Sequence, residues 1–188
     1  GFVVLGQSRS NNGDVTGAHG GYDFWVVKLT ESGTIEWQKA LGGSGEDYGR
    51  AIEQTADNGF VVIGQTQSSD GDVIGNDGGA DFWVVKLSEH GEIQWQKTLG
   101  GSLAETGHAI KQVEDGGFVL TGDAWSNDGD VSGVQGYTDI WVVKLSPVTS
   151  GIGSGPPPLA PLEIYPNPVQ DHLTVKMPTS SSNHTLSI

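Results

Sequence analysis

Three observations predict an all-β chain assembled from a repeated four-stranded unit. Gly1-Phe2 returns as Gly59-Phe60 and again as Gly117-Phe118, an interval of 58 residues without insertion or deletion. Between 1–58 and 59–116, 35 positions are identical, so the whole unit is duplicated rather than a single motif. Glycine supplies 30 of 188 residues with no period of three, against a usual share of about 7%, and so marks many tight turns rather than a collagen-like helix. No segment carries helical spacing of its apolar residues.

The elements follow in order from the complete central copy. "RAIEQT" (50–55) reads as a first strand and "ADNG" as a turn, because Asn-Gly pairs favour tight hairpins. "FVVIGQT" (60–66) and "DFWVVKL" (81–87) are almost continuously apolar, which predicts strands buried on both faces. The turn "SEHG" leads to "EIQWQKTL" (92–99), whose alternation puts Ile93 and Trp95 on one face of a half-covered strand. Trp25, Trp83 and Trp141 recur at the repeat interval, as do Trp37 and Trp95, which predicts packing between units.

A unit of this length with four antiparallel strands fits a propeller blade better than a solenoid coil, which is shorter. "DFWVVKLTESGTIEWQKALGG" (23–43) resembles the last two strands of a blade in quinoprotein-like or Kelch-like propellers. That resemblance implies a partial β-propeller over 1–147: a partial blade (1–48), a complete blade (49–106) and a further partial blade (107–147). It also implies an inner strand at "AIEQT" and an outer one at "IEWQK". Residue 1 is not Met and opens inside a strand, so it reads as a cut end. An open sector of this kind exposes strand edges.

The period fails after 147. Residues 148–161 form a Gly/Ser/Pro linker, flexible at first and stiffer over Pro156–Pro158. Residues 162–188 then start a small β-domain, with a turn forced by the two prolines around Asn167 and a strand at "HLTVKM". "IYPNPVQDHLTV" (164–175) resembles the opening of the type A C-terminal sorting domain of type IX secretion, matching at Ile164, Tyr165, Pro166, Asn167, Pro168 and Leu173. The resemblance implies that 162–188 is the start of a small β-sandwich sorting domain, in a secreted or cell-surface (outer-membrane) protein of a Gram-negative bacterium with the type IX machinery as partner. The later strands of that domain do not follow before Ile188.

The formal net charge is −14, which disfavours nucleic acid and anionic membrane surfaces as partners and leaves cations as natural small ones. There is no cysteine, hence no thiolate chemistry, and no apolar run long enough to span a bilayer. The acidic loop "SNNGDVTG" (10–17), "SSDGDVIG" (68–75) and "SNDGDVSG" (126–133) admits two readings. Asp-Gly and Asn-Gly are turn formers whose side chains cap their own backbone. Alternatively Asn12 and Asp14, Asp70 and Asp72, and Asp128 and Asp130 offer hard oxygens one residue apart to calcium, with Asp23, Asp81 and Asp139 at the next strand as further ligands. Such a loop lacks the distal Glu of an EF-hand, so its affinity would be weak.

Trp125 departs from the repeat, standing where the other units have Gln67 and Arg9, and is a candidate contact for a surface protein or glycan ligand. The five histidines show no ligand spacing, no G-x-S-x-G elbow appears, and a quinone cofactor has no dedicated site in this sector. The function expected is therefore a non-catalytic binding or scaffold propeller. The alternative is an accessory segment of a secreted protease or glycosidase whose catalytic domain lies upstream.

Overall fold

The structure is a computed structural model describing residues 1–76, 78–147 and, as a strand only, 162–164. It is all-β, with three antiparallel sheets and no helix among the described residues. The first sheet holds β1 (Phe2–Ser8), β2 (Asp23–Leu29) and β3 (Ile35–Leu41). The second holds β4 (Asp47–Gln54), β5 (Phe60–Thr66), β6 (Asp81–Leu87) and β7 (Ile93–Leu99) in sequence order. The third holds β8 (Glu105–Gln112), β9 (Phe118–Ala124), β10 (Asp139–Leu145) and β11 (Leu162–Ile164).

Two elements differ from the sequence expectation. The first strand of the central sheet starts at Asp47, three residues before Arg50, because its opening residues already pair with the end of β5: Asp47 lies opposite Thr66 and Tyr48 opposite Gln65. The third sheet is not left at three strands, since Leu162–Ile164 pairs antiparallel with Val143–Leu145. An unpaired edge presents a row of free N–H and C=O groups, and a tail segment that pairs there satisfies some of them. The linker, the Tyr165–Pro168 motif and the strand at "HLTVKM" lie outside the described residues.

Register reproduces the 58-residue period. Phe2–Ser8 pairs with Asp23–Leu29 as Phe60–Thr66 pairs with Asp81–Leu87 and Phe118–Ala124 with Asp139–Leu145. The "ADNG" turn closes with Thr55 N–H on Gly59 C=O (2.9 Å), and Asn58 takes a left-handed φ of 64° where the next unit has Gly116 at 83°. Asn tolerates that region better than most residues, which is why the turn survives the exchange.

The sheets stack face to face. Alternation sends Phe24, Val26 and Leu41 of the first sheet against Phe60, Val62, Trp83, Val85 and Leu87 of the second. The opposite face of the second sheet (Val61, Ile63, Phe82, Val84, Leu99) meets Ile110, Phe118, Leu120, Trp141, Val143 and Leu145 of the third. Strands β5 and β6 are therefore covered on both sides, as their continuous apolar runs predict. Ring pairs repeat across both interfaces: Phe24 with Trp83 at 4.8 Å and Phe82 with Trp141 at 4.9 Å, both tilted. Trp37 meets Phe60 edge-on at 5.8 Å, and Trp95 meets Phe118 at 5.7 Å. Each such pair contributes about 0.5–1.5 kcal/mol beyond the area it buries.

Candidate functional site

The acidic loop sits where one sheet hands over to the next. Residues 42–46 carry the chain from β3 to β4, and the loop of the following sheet (68–75) folds over them. Asp70 Oδ1 accepts the Ser44 amide at 2.7 Å, and Asp72 Oδ2 accepts that of Gly42 at 3.3 Å. The Asp72 amide donates back to Gly42 C=O at 2.9 Å. The Ser68 hydroxyl accepts the Gly45 amide (2.9 Å) and donates to Asp47 Oδ2 (2.8 Å), an oxygen that also accepts the Gly43 amide (2.8 Å). Thr66 Oγ1 donates to the other oxygen of Asp47.

One period later the clasp is rebuilt. Asp128 Oδ1 accepts the Ser102 amide at 2.8 Å, Asp130 Oδ2 that of Gly100 at 3.4 Å, and Ser126 Oγ that of Leu103 at 2.9 Å. Glu105 replaces Asp47, and its longer side chain accepts the Gly101 amide (2.9 Å) and the Ser126 amide (2.9 Å). Two glycine requirements follow from the close fit. A Cβ on Gly42 would fall 2.5 Å from Asp47 Oδ2 and 2.6 Å from Asp23 Oδ1. Gly71 combines a left-handed φ of 64° with close approach to the Gly42 carbonyl.

Electrostatics divides the carboxylates into two kinds. The Ser44 amide holds the Asp70 carboxyl below its ordinary range, and the Ser102 amide does the same for Asp128. Asp23 is wholly buried, and burial pushes its carboxyl up; hydrogen bonds from His19 oppose the rise, and the charge of Asp47 adds to it. His19 binds Asp23 Oδ2 through its amide (2.8 Å) and ring Nδ1 (3.1 Å), while Oδ1 has no hydrogen-bond partner among the described residues.

The sequence-singled residues are thus distributed unevenly. Asp70 with Asp72, and Asp128 with Asp130, come together on the clasp, but not with the Asp that opens the next strand of their own unit: each loop folds over the preceding connection, so Asp72 binds Gly42 beside Asp23 and Asp47, and Asp130 binds Gly100 beside Asp81 and Glu105. A cleft of about 350 Å³ at the second junction is lined by Asp81, Gly100, Gly101, Asp128 and Asp130 among others. Asn12 and Asp14 sit on the corresponding exposed loop of the first sheet, where the Ser10 hydroxyl donates to Asn12 Oδ1 at 2.9 Å. Asp139 accepts the Gln135 amide at 2.6 Å, repeating the Asp23–His19 contact. Among the described residues no three His, Asp or Glu side chains gather to hold a metal ion. Trp125 is half-buried rather than freely standing, its amide donating to Ala104 C=O at 3.0 Å.

Sequence reading named Asp23 beside the acidic loops but missed Ser68, Ser126, Asp47 and Glu105 as parts of the same assemblies. The signal was present in the repeat: the Gly-Gly-Ser run at 42–44 and 100–102 and the Ser at 68 and 126 keep the same interval as the acidic loop.

Fold and site together define an all-β repeat protein whose stacked antiparallel sheets are clasped by hydrogen bonds at each handover. No family model matches the chain, and no curated protein matches it.

Proposed function

We propose that this chain is a sector of a β-propeller acting as a non-catalytic binding or scaffold module, carried by type IX secretion to the surface of a Gram-negative bacterium. The observation that carries the reading is the manner of stacking. Successive sheets meet face to face, and their first strands, β4 and β8, lie against each other. First strands gathered on one side are what blades around a common axis require.

The scaffold part is supported by where the repeated residues are used. The shared Phe, Trp, Gly, Ser and Asp positions are spent on holding one sheet to the next. The export part is supported by "YPNP" following a Gly/Pro linker. The test is to place the chain behind a signal peptide, its tail completed with the remaining strands of a sorting domain, in a type IX-competent host. Surface exposure to added protease is expected. Periplasmic retention, with a known sorting tail exported in parallel, overturns the export reading.

A further inference from the structure

The two handovers are built from equivalent residues, yet they are filled differently. At the first, the imidazole of His19 stands between two carboxylates: Nδ1 lies 3.1 Å from Asp23 Oδ2 and Nε2 lies 3.9 Å from Asp72 Oδ2. At the second, the equivalents of those carboxylates are Asp81 and Asp130, and in the sequence the equivalent of His19 is Asp77. An ionised aspartate accepts hydrogen bonds and donates none. The cleft of about 350 Å³ lies at this second handover, lined by Asp81, Asp128 and Asp130 with Thr98 and Ser102, and no basic side chain is among its lining residues.

Three carboxylates around one cleft favour a positive guest. The Ser102 amide holds the Asp128 carboxyl below its ordinary range, so that group stays charged at neutral pH. The first handover shows what satisfies such a place: a planar ring that turns a nitrogen toward each of two carboxylates. A bare metal ion has no such set to hold it, because no three acidic or His side chains gather for one among the described residues. A planar cation is broad enough to reach two carboxylates that do not converge on a point. We propose that the second handover binds a small organic cation with N–H donors on a planar group, a guanidinium or imidazolium, between Asp81 and Asp130, in the place that His19 takes at the first. Guanidinium matches carboxylates through paired N–H bonds. The cleft volume falls at the lower end of the roughly 300–1,000 Å³ usual for small-ligand sites. The site is formed by two neighbouring sheets alone, so it depends on neither the blade count nor the export route.

Agmatine, whose guanidinium is charged at any working pH, is the probe, followed by amide NMR on the full chain. Amides of Gly100–Ser102 and Asp128–Asp130 are expected to shift saturably, while those of Gly42–Ser44 stay in place. Asp130→Asn removes one charged acceptor and is expected to weaken binding about 10- to 100-fold. Ser102→Trp, on an exposed side chain, fills the cleft while leaving every carboxylate and is expected to abolish the shifts. His19→Ala empties the first handover and is expected to add shifts at Gly42–Ser44, a gain that a loosened fold does not produce.

A wild-type chain with no saturable shift overturns the proposal, as does a Ser102→Trp chain that binds unchanged or a His19→Ala chain with no new shifts. Tetramethylammonium carries the charge without N–H donors; equal shifts with it would reduce the site to an acidic surface. Acetyl-Gly-Arg-Gly-amide carries the same guanidinium within a peptide, and tighter binding of it than of agmatine overturns the assignment to a free small ligand.

Discussion

Asp23 and Asp57 show how differently two carboxyls of one chain respond to their surroundings. Burial raises the Asp57 carboxyl, but hydrogen bonds from Thr55, Lys86 and Gly59 outweigh it and hold the group down at about 2. Its stabilising contribution is therefore complete above the ordinary value of 3.8 and is lost as pH falls through about 2. Asp23 has the opposite sign. With its folded value raised, it favours the folded state at low pH and costs stability once pH climbs past 3.8 and through the raised value. Asp23→Asn is expected to stabilise the chain near neutral pH, with the gain vanishing toward pH 4, as read from urea midpoints across that range. The loop carboxylates bear on calcium in a similar way. Asp70 and Asp128 already bind amides of the preceding connection. Those amides take up acceptor capacity of the loop, and no three acidic or His side chains gather there among the described residues, so millimolar calcium, compared with chelator, is expected to leave the melting temperature unchanged.

At the scale of the element, position in the stack outweighs sequence identity. β2 and β6 share the sequence DFWVVKL, yet β6 is buried at every residue while β2 is only partly covered. Trp83 and Trp25 make the same indole hydrogen bond, to Gln96 at 2.8 Å and to Gln38 at 2.9 Å. Only Trp83 is closed in by a neighbouring ring from the preceding sheet. Trp83→Ala is expected to cost about 3–5 kcal/mol, as for other fully buried large aromatics. Trp25→Ala, at the same place in the repeat, is expected to cost well under half as much. Denaturant unfolding of the two variants side by side checks the difference.

For the molecule as a whole, stacked units that touch only their neighbours derive much of their stability from the interfaces between them. The second sheet has two such interfaces and the outer sheets have one each. Backbone amides of β5 and β6 are therefore expected to exchange with deuterated solvent most slowly. Those of β1, with Phe2 and Val4 open to water, are expected to exchange fastest among the strands of the first two sheets. Uniform protection across the three sheets would show that the stack opens as a single cooperative unit instead.

Much of the architecture was legible in the residues alone. Identity at a fixed interval announces repeated units, and continuous apolar runs in 60–66 and 81–87 announce strands covered on both faces, because both signals are local and periodic. The sequence also carried the role of Trp83 and Trp141 as packing groups between units, whereas Trp25, at the same place in the repeat, has no such ring from a preceding sheet. What only the tertiary structure decided is the partner of each polar group. The contact of Asp70 with Ser44 joins residues 26 positions apart, and that of Ser68 with Gly45 spans 23. Neither spacing is written in any motif, because it depends on how one sheet lies on the next. The same holds for β11, whose three residues join β10 from beyond the linker: an open edge selects its partner by backbone hydrogen bonding, which leaves almost no mark on side-chain identity.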